Sequence, residues 1–313
     1  MTVPTRREVW VEMLLYPRHT LPTALAPVLV ASALAWHDGV FDASAALAAF
    51  TAGWLVQLGG VIADNYNNLR RHGDDREHPR FVEALEAGII SFAELRGAVI
   101  GCHAGAALAG LHLVDIGGVP VLAIGLISIA ASLAYSSGPY PLGDNFGLGD
   151  PLFFTFFGVV SVMASYYVQV AAQVDPPLAL TLVPDGITTA AFLVSLPVGA
   201  LCTNILVIDN IRDLEFDRAK REHTLAVLIG PRASHVEYVA LLALAYAVPV
   251  VLFAGGRFGA PVLLPALSLP YAVHVARRVL GTTDYVALLP MTPHAAQVLL
   301  AFAALFAIGV ATG

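Results

Sequence analysis

Apolar runs of roughly 18–25 residues recur along this chain, and each is long enough to cross a hydrocarbon core of about 30 Å as a helix. They cover about 20–37, 45–64, 93–114, 118–135, 151–172, 187–209, 236–254, 260–279 and 294–312. Inside a bilayer no water is present to satisfy backbone N–H and C=O groups, and a helix bonds them to one another. The composition agrees, with 58% hydrophobic and 12% charged residues and a mean hydropathy of +0.75. No stretch between the runs is long enough for a soluble domain. The first run follows a polar segment and lacks a small-residue cleavage site, so it reads as a span rather than a leader. The expectation is an all-α integral membrane protein of nine transmembrane helices, forming one domain over residues 1–313.

Basic residues orient the spans. With nine crossings, the N-terminus and the segments after spans 2, 4, 6 and 8 share one side. Fifteen of the sixteen Lys and Arg residues fall there, Arg6 and Lys220 among them, and Arg257 alone falls opposite. Such an asymmetry marks the cytoplasmic side and fits an odd number of spans. The N-terminus is therefore expected in the cytoplasm. The formal charge of −7 gives no reason to expect nucleic acid as a partner, because the basic residues flank the spans rather than form a patch. Cys102 and Cys202 lie in apolar runs without disulfide or metal spacing and read as small core residues.

Two acidic clusters sit at the cytoplasmic ends of apolar runs. The first reads Asp64-Asn65-Tyr66-Asn67-Asn68, followed by Asp74-Asp75; the second reads Asp209-Asn210-Ile211-Arg212-Asp213, followed by Asp217. On a helix Asp209, Asp213 and Asp217 share one face at about 6 Å per step. Carboxylates so close repel unless a cation intervenes. Asp64, Asn68 and Asp75 form a similar stripe, although Gly73 interrupts the helix before Asp75. Mg²⁺ takes oxygen ligands and completes its shell with substrate phosphate oxygens. Arg70 and Arg71 thread the first cluster, and Arg218, Lys220 and Arg221 extend the second. Acids for the metal and cations for free phosphate oxygens suit a metal-bridged diphosphate. Arg76, Glu77 and Arg80 read as juxtamembrane charges reaching water, and His72, His78 and His223 as solvated side chains.

Four stretches carry a resemblance to a known family. They are Pro17-Arg18-His19-Thr20-Leu21-Pro22 with Ala26-Pro27; Tyr135-Ser136-Ser137-Gly138-Pro139-Tyr140-Pro141-Leu142-Gly143 leading to Gly147-Leu148-Gly149-Asp150; a Phe-rich helix ending Tyr166-Tyr167-Val168-Gln169; and the second acidic cluster continuing through Arg221-Glu222-His223-Thr224-Leu225-Ala226. In this order they resemble the UbiA superfamily of intramembrane prenyltransferases, most closely its 1,4-dihydroxy-2-naphthoate branch. The resemblance implies a helical bundle around a central cavity in a prokaryotic inner membrane, with the active site facing the cytoplasm. It implies Mg²⁺, or Mn²⁺, held by Asp64, Asn68, Asp75, Asp209, Asp213 and Asp217. A prenyl diphosphate would be bound by Asn65, Asn68, Arg71, Lys220 and Arg221, with its tail against apolar helices open to membrane lipid. An aromatic quinone precursor would accept the prenyl group. Asp64, Asp213, Arg212 and Tyr135 are the expected catalytic residues. Arg18, Tyr135, Tyr140 and the helix from Phe153 to Tyr167 are candidates for the acceptor and tail walls. Taken singly, Phe153, Phe154, Phe156 and Phe157 read as core packing, whereas Tyr135 opens a Ser-Ser-Gly-Pro break whose freed polar groups must line a cavity.

The first cluster departs from the family pattern. Asn-Asp-x-x-Asp is usual there; here Asp64 stands in the Asn position, and Asn65 and Asn68 stand where carboxylates are expected. Asn offers a carbonyl oxygen but no charge. Asp209 replaces the usual Asn of the second motif, as though cation-binding charge had moved between the clusters. Two other activities stay open at this point. An acceptor-free terpene cyclase would share the ionisation step. A transporter would use intramembrane acids for coupling, but its acids would sit near the midplane rather than at one face.

Overall fold

The computed structural model of the protein describes residues 5–15, 20–72, 79–174 and 183–313. Its regular structure is helical, with no strand among the described residues. The chain runs through α1 (Arg6–Leu15), α2 (Thr20–His37), α3 (Ala43–His72), α4 (Pro79–Glu86) and α5 (Phe92–Ser136). It continues through α6 (Gly149–Phe153), a π-helical segment Phe154–Val160, α7 (Ser161–Ala171) and α8 (Thr189–Lys220). The remainder comprises α9 (Leu225–Ile229), α10 (Pro231–Ala254), a 3₁₀ segment Ala260–Ser268, α11 (Leu269–Leu280), α12 (Tyr285–Leu288) and α13 (Met291–Thr312).

Among the described residues, eight of the nine apolar runs fall on six helical stretches long and apolar enough to cross a membrane and on the shorter Leu21–His37, whereas run 260–279 falls on none of them. Runs 93–114 and 118–135 fall on the two arms of the 45-residue α5. As one straight rod α5 would extend about 68 Å, twice the hydrocarbon thickness. It is broken at Gly118, whose φ of 69° only glycine adopts without strain, two residues before Pro120. The break frees backbone groups, and the Tyr167 hydroxyl donates to the Gly117 carbonyl at 3.3 Å while accepting from Val183 N at 3.2 Å. Run 260–279 is divided between the 3₁₀ segment and α11. Pro261 and Pro265 lie in the first half, where proline removes the amide donors a continuous α-helix would use.

The central element is α8. Its most apolar window is 78% buried, against 17% for α5, so α8 packs on protein all round while α5 offers its outer face to lipid. Lipid tails are as apolar as leucine, and helix association in a bilayer rests on close van der Waals approach through small residues. Gly158 and Gly199 provide it: a Cβ on Gly158 would lie 2.4 Å from Gly199 Cα. Gly158→Ala should therefore destabilise the bundle by about 1–3 kcal/mol, the usual cost of overpacking. Gly101→Ala, with nothing within 4 Å of the new methyl, should be neutral or stabilising. Thermal unfolding in detergent compares the two; equal midpoints would mean that this crossing is not a close contact.

Two groups of contacts sort the helix ends. At one end Arg71, late in α3, donates through Nη2 to the Ser136 carbonyl at 2.5 Å and pairs through Nη1 with Asp144 at 3.4 Å. His223 N donates to Asp144 O at 2.6 Å, and Gly147 N to His223 O at 2.9 Å, joining the segments after α5 and α8. At the other end Arg257, after α10, pairs with Asp38, after α2, at 3.1 Å. Gly259 N donates to Gly313 O there at 3.0 Å.

Candidate active site

A cavity of about 1000 Å³ opens between α3, α5, the π segment, α7 and α8. Asp64, Asn65 and Asn68 reach it from α3, and Asp209, Asn210, Asp213 and Asp217 from α8. The two acidic clusters, nearly 150 positions apart in sequence, thus share one wall system. The i, i+4, i+8 spacing does put all three α8 carboxylates on the lining. Asp64 and Asn65 line it together despite their exchanged order, because the mouth spans more of the α3 surface than the 100° between neighbouring residues. Asn67 turns elsewhere, donating to Ala63 O at 2.8 Å and Ser137 Oγ at 3.0 Å.

Arg212 organises the α8 acids. Only 6% of its side chain is exposed. It grips Asp213 with both ends of its fork, Nε to Oδ1 at 3.0 Å and Nη2 to Oδ2 at 2.6 Å, the paired geometry that makes guanidinium–carboxylate contacts strong. Its Nη1 donates to Asp209 Oδ1 at 2.6 Å. Thr292 of α13 donates to the same oxygen at 2.6 Å. The guanidinium also lies 5.8 Å from the ring centre of Tyr285, which meets Phe216 edge-on at 5.3 Å. Arg212 is therefore a holder of carboxylates rather than an open phosphate contact. Asp217 accepts from Thr224 Oγ1 at 3.1 Å. Among the described residues no three acidic, His or Cys side chains are already closed into metal-coordinating geometry, which follows from these internal partners.

The loop after α5 supplies a carboxylate that the sequence did not single out, Asp144. Glu222, quoted within a motif but given no role, joins it on the lining. Burial raises the Asp144 carboxyl above its ordinary range against the opposing pull of Arg71 and Lys220. Burial likewise raises Glu222, and the neighbouring Asp144 carboxylate adds to the shift. Six carboxylates (Asp64, Asp144, Asp209, Asp213, Asp217 and Glu222) and one lysine, Lys220, thus line the mouth among the described residues. The donor set is all oxygen and heavily anionic, which fits Mg²⁺ shared with a phosphate-bearing ligand.

Below the mouth the cavity becomes apolar. Phe153, Phe156, Phe157 and Val160 line it, and the rings of Phe153 and Phe157 meet at a tilt of 37° with centres 4.3 Å apart. Reading these phenylalanines as core packing holds for Phe153, Phe154 and Phe157, which pack against the buried core, but Phe153 and Phe157 also face the cavity, as does Phe156. Phe156 and Phe157 belong to the π segment, whose wider turn departs from α-spacing and carries their rings to the cavity, and Phe153 ends α6 just before it. Tyr135 also lines the cavity. Its ring covers Gly143, where a Cβ would lie 2.6 Å away, so the Ser-Ser-Gly-Pro break folds back over it.

Other expected site residues lie off the lining. Tyr140 is 69% exposed and stands against Phe146 at 6.5 Å, turned outward by the bend at Gly138, φ 90°. Arg221 is exposed at the left-handed C-cap of α8, φ 61°, where it reverses the chain and brings Glu222 and Thr224 back to the mouth. Arg71 is likewise off the lining and pairs with Asp144, which is on it. Arg18, Asp74, Asp75 and His78 lie outside the described residues.

The UbiA prenyltransferase family model matches residues 24–289. The chain belongs to the UbiA prenyltransferase family. Membership and the six apolar helices together make it a membrane-embedded prenyltransferase. This UbiA enzyme is 33% identical to the 1,4-dihydroxy-2-naphthoate octaprenyltransferase of Escherichia coli over 98% of its own length and 96% of that protein. It is 32% identical to the protein of the same name from Mycobacterium tuberculosis over 74% of each chain. Its fold resembles the apo UbiA homolog from Aeropyrum pernix K1 (TM-score 0.69, 18% identity, 92% and 96% of the two chains). It also resembles a UbiA homolog from Archaeoglobus fulgidus bound to GPP and Mg²⁺ (TM-score 0.55, 15% identity, 93% and 99%).

Proposed function

We propose that this UbiA enzyme, acting as one domain over residues 1–313, transfers a prenyl group from a prenyl diphosphate to a dihydroxynaphthoate-like aromatic acceptor. The observation that carries this reading is the two-part cavity, six carboxylates and Lys220 at its mouth and closely packed phenylalanines below. An amphiphile with a metal-bound anionic head and a hydrocarbon tail matches both parts. Relatives named for octaprenyl transfer to 1,4-dihydroxy-2-naphthoate favour transfer over cyclisation.

Asp64, Asn68, Asp209, Asp213 and Asp217 would hold Mg²⁺, with Mn²⁺ as a substitute, and Asp75 is the further acid near the first cluster. When bound, the metal neutralises charge on the departing diphosphate. Asn65 and Lys220 then face free phosphate oxygens, Lys220 as a point charge, with Arg71, Arg18 and Arg221 as outer cations. Arg212 keeps Asp209 and Asp213 in place through its three hydrogen bonds. As the allylic C–O bond breaks, the diphosphate takes the electron pair and a carbocation develops on the prenyl carbon. The faces of Tyr135 and Phe153 stabilise that cation, and the apolar walls keep water from capturing it. The acceptor ring, held against it, forms the new C–C bond, and the attacked ring carbon then sheds its proton to a lining carboxylate, or its carboxyl group as CO₂, which restores the aromatic ring. Tyr140 would meet the acceptor only at the entrance.

The deciding experiment incubates purified protein with Mg²⁺ and geranyl, farnesyl or geranylgeranyl diphosphate, with and without dihydroxynaphthoate. Acceptor-dependent prenylated product is expected; acceptor-free hydrocarbon or terpene alcohol would replace this reading by cyclisation.

The proposed setting is a prokaryotic inner membrane, with nine crossings counted by halving α5 at Gly118 and treating 260–279 as a span. The N-terminus and the acidic mouth would face the cytoplasm, supported by the distribution of basic residues and by Asp38, Arg257 and Gly313 meeting at the opposite end. After Cys102 and Cys202 are replaced, a cysteine at 257 should react with an impermeant reagent in intact cells and one at 221 should not. The reverse pattern would invert the orientation.

A further inference from the structure

Asp150, at the start of α6, is 3% exposed and stands behind the cavity lining rather than on it. Its carboxylate accepts from Asn210 Nδ2, at 3.1 Å to Oδ2 and 3.4 Å to Oδ1. Asn210 itself does line the cavity. A carboxylate has only lone pairs to offer, so the Asn210 amide must turn its NH₂ group towards Asp150. The opposite flip would set a carbonyl oxygen against a carboxylate. One orientation is thereby left, with Oδ1 on the cavity side. Among the described residues nothing donates to that oxygen, and it is not one of the buried atoms lacking a partner, so it is open to the cavity.

The α8 residues beside it are differently disposed. Asp209 and Asp213 are both gripped by Arg212. Asn210 Oδ1 is thus an oriented neutral oxygen among committed carboxylates, and a neutral donor adds a ligand without adding to the repulsion already present. Asp150 is held in turn. At its neighbour Gly149 a Cβ would lie 2.9 Å from the Gly143 carbonyl oxygen, so α6 cannot shift towards the loop without collision. We infer that Asp150 is a positioning residue that locks the Asn210 amide so that its carbonyl oxygen faces the metal–diphosphate head group. This rests on the prenyl-transfer reading for what occupies the site, but not for the clamp.

The test is a double-mutant cycle in the full-length protein with Asp150→Ala, Asn210→Ala and the pair, adding Asp150→Asn as an isosteric variant. Mn²⁺ affinity of the resting protein is read from free Mn²⁺ by electron paramagnetic resonance, and the Mg²⁺ concentration for half-maximal turnover is read separately. Each alanine variant should weaken Mn²⁺ binding about 10-fold, the scale of losing a ligand's outer partner. The double variant should be no worse than Asn210→Ala alone, because Asp150 acts only through Asn210. Asp150→Asn should lose less than Asp150→Ala, since Asn still accepts in one of its two flips. Additive losses, unchanged Mn²⁺ affinity in Asp150→Ala, or equal losses in Asp150→Asn and Asp150→Ala would overturn the clamp. The Mn²⁺ arm needs no turnover. A wild type that shows this pattern but forms no prenylated acceptor would retain the clamp and refute the transfer reading.

Discussion

Asp213→Asn is expected to lower kcat/KM by about 10³-fold, the upper range for removing one preorganised electrostatic partner, with little loss of stability. Asp213 lies on the cavity and its two oxygens bond Arg212 at 3.0 and 2.6 Å. The isosteric amide keeps one acceptor for the guanidinium while removing the charge that the metal requires. Alanine is the less informative change. It strips Arg212, 6% exposed, of its fork partner, and an uncompensated buried charge costs up to about 3–5 kcal/mol. Asp209 still neutralises part of that charge, so the loss should fall below this limit. Comparing thermal midpoints with rates for both variants separates the two effects. Excess EDTA should silence the wild type, and adding Mg²⁺ should restore it. Full turnover in EDTA, or normal turnover by Asp213→Asn, would remove α8 from the catalytic metal site.

Asp64→Asn should cost about 2–4 kcal/mol of transition-state stabilisation, equivalent to roughly 30- to 900-fold in rate. Asp64 is the carboxylate that α3 brings to the lining among the described residues, with Asn65 and Asn68 beside it and Asn68 Nδ2 donating to it at 3.4 Å. Because positions 64 and 65 both reach the cavity, Asp64→Asn combined with Asn65→Asp should recover part of the loss. The carboxylate would return to the mouth about 100° round the helix. Rates and Mg²⁺ half-saturation for the single and double variants provide the check. Unchanged values in Asp64→Asn would mean that the first cluster is not a metal site, and cyclisation or a non-catalytic role would then move ahead.

Much of the site was legible because its spacing is helical and local. Asp209, Asp213 and Asp217 could be placed on one face from their numbers alone, and the apolar runs implied helices because a bilayer tolerates little else. Asp144 was illegible for a plain reason. It lies in a short loop with no periodicity, and it reaches the mouth because His223 bonds across to Asp144 and Gly147 of that loop and Arg71 pairs with its carboxylate. Arg212 was expected at the site, but its grip on both Asp209 and Asp213 was not legible, because sequence spacing does not reveal which partner a guanidinium chooses. Tyr140 and Arg221 were drawn into the site by adjacency in motifs, but backbone turns at Gly138 and Arg221 send them outward.

From sequence alone came the membrane environment, the helical class, the family resemblance and the α8 acid stripe, since each depends on hydropathy or on residues a few positions apart. Tertiary structure decided the break of α5 at Gly118, the rotation of Phe153, Phe156 and Phe157 into the cavity, and the meeting of Asp64 with Asp213. These depend on a single positive φ, a π turn next to Phe153 and the packing of distant helices, α3 on α5 and α7, and the π segment on α8. Local periodicity carries no information about which faces of distant helices will touch, because that choice belongs to packing.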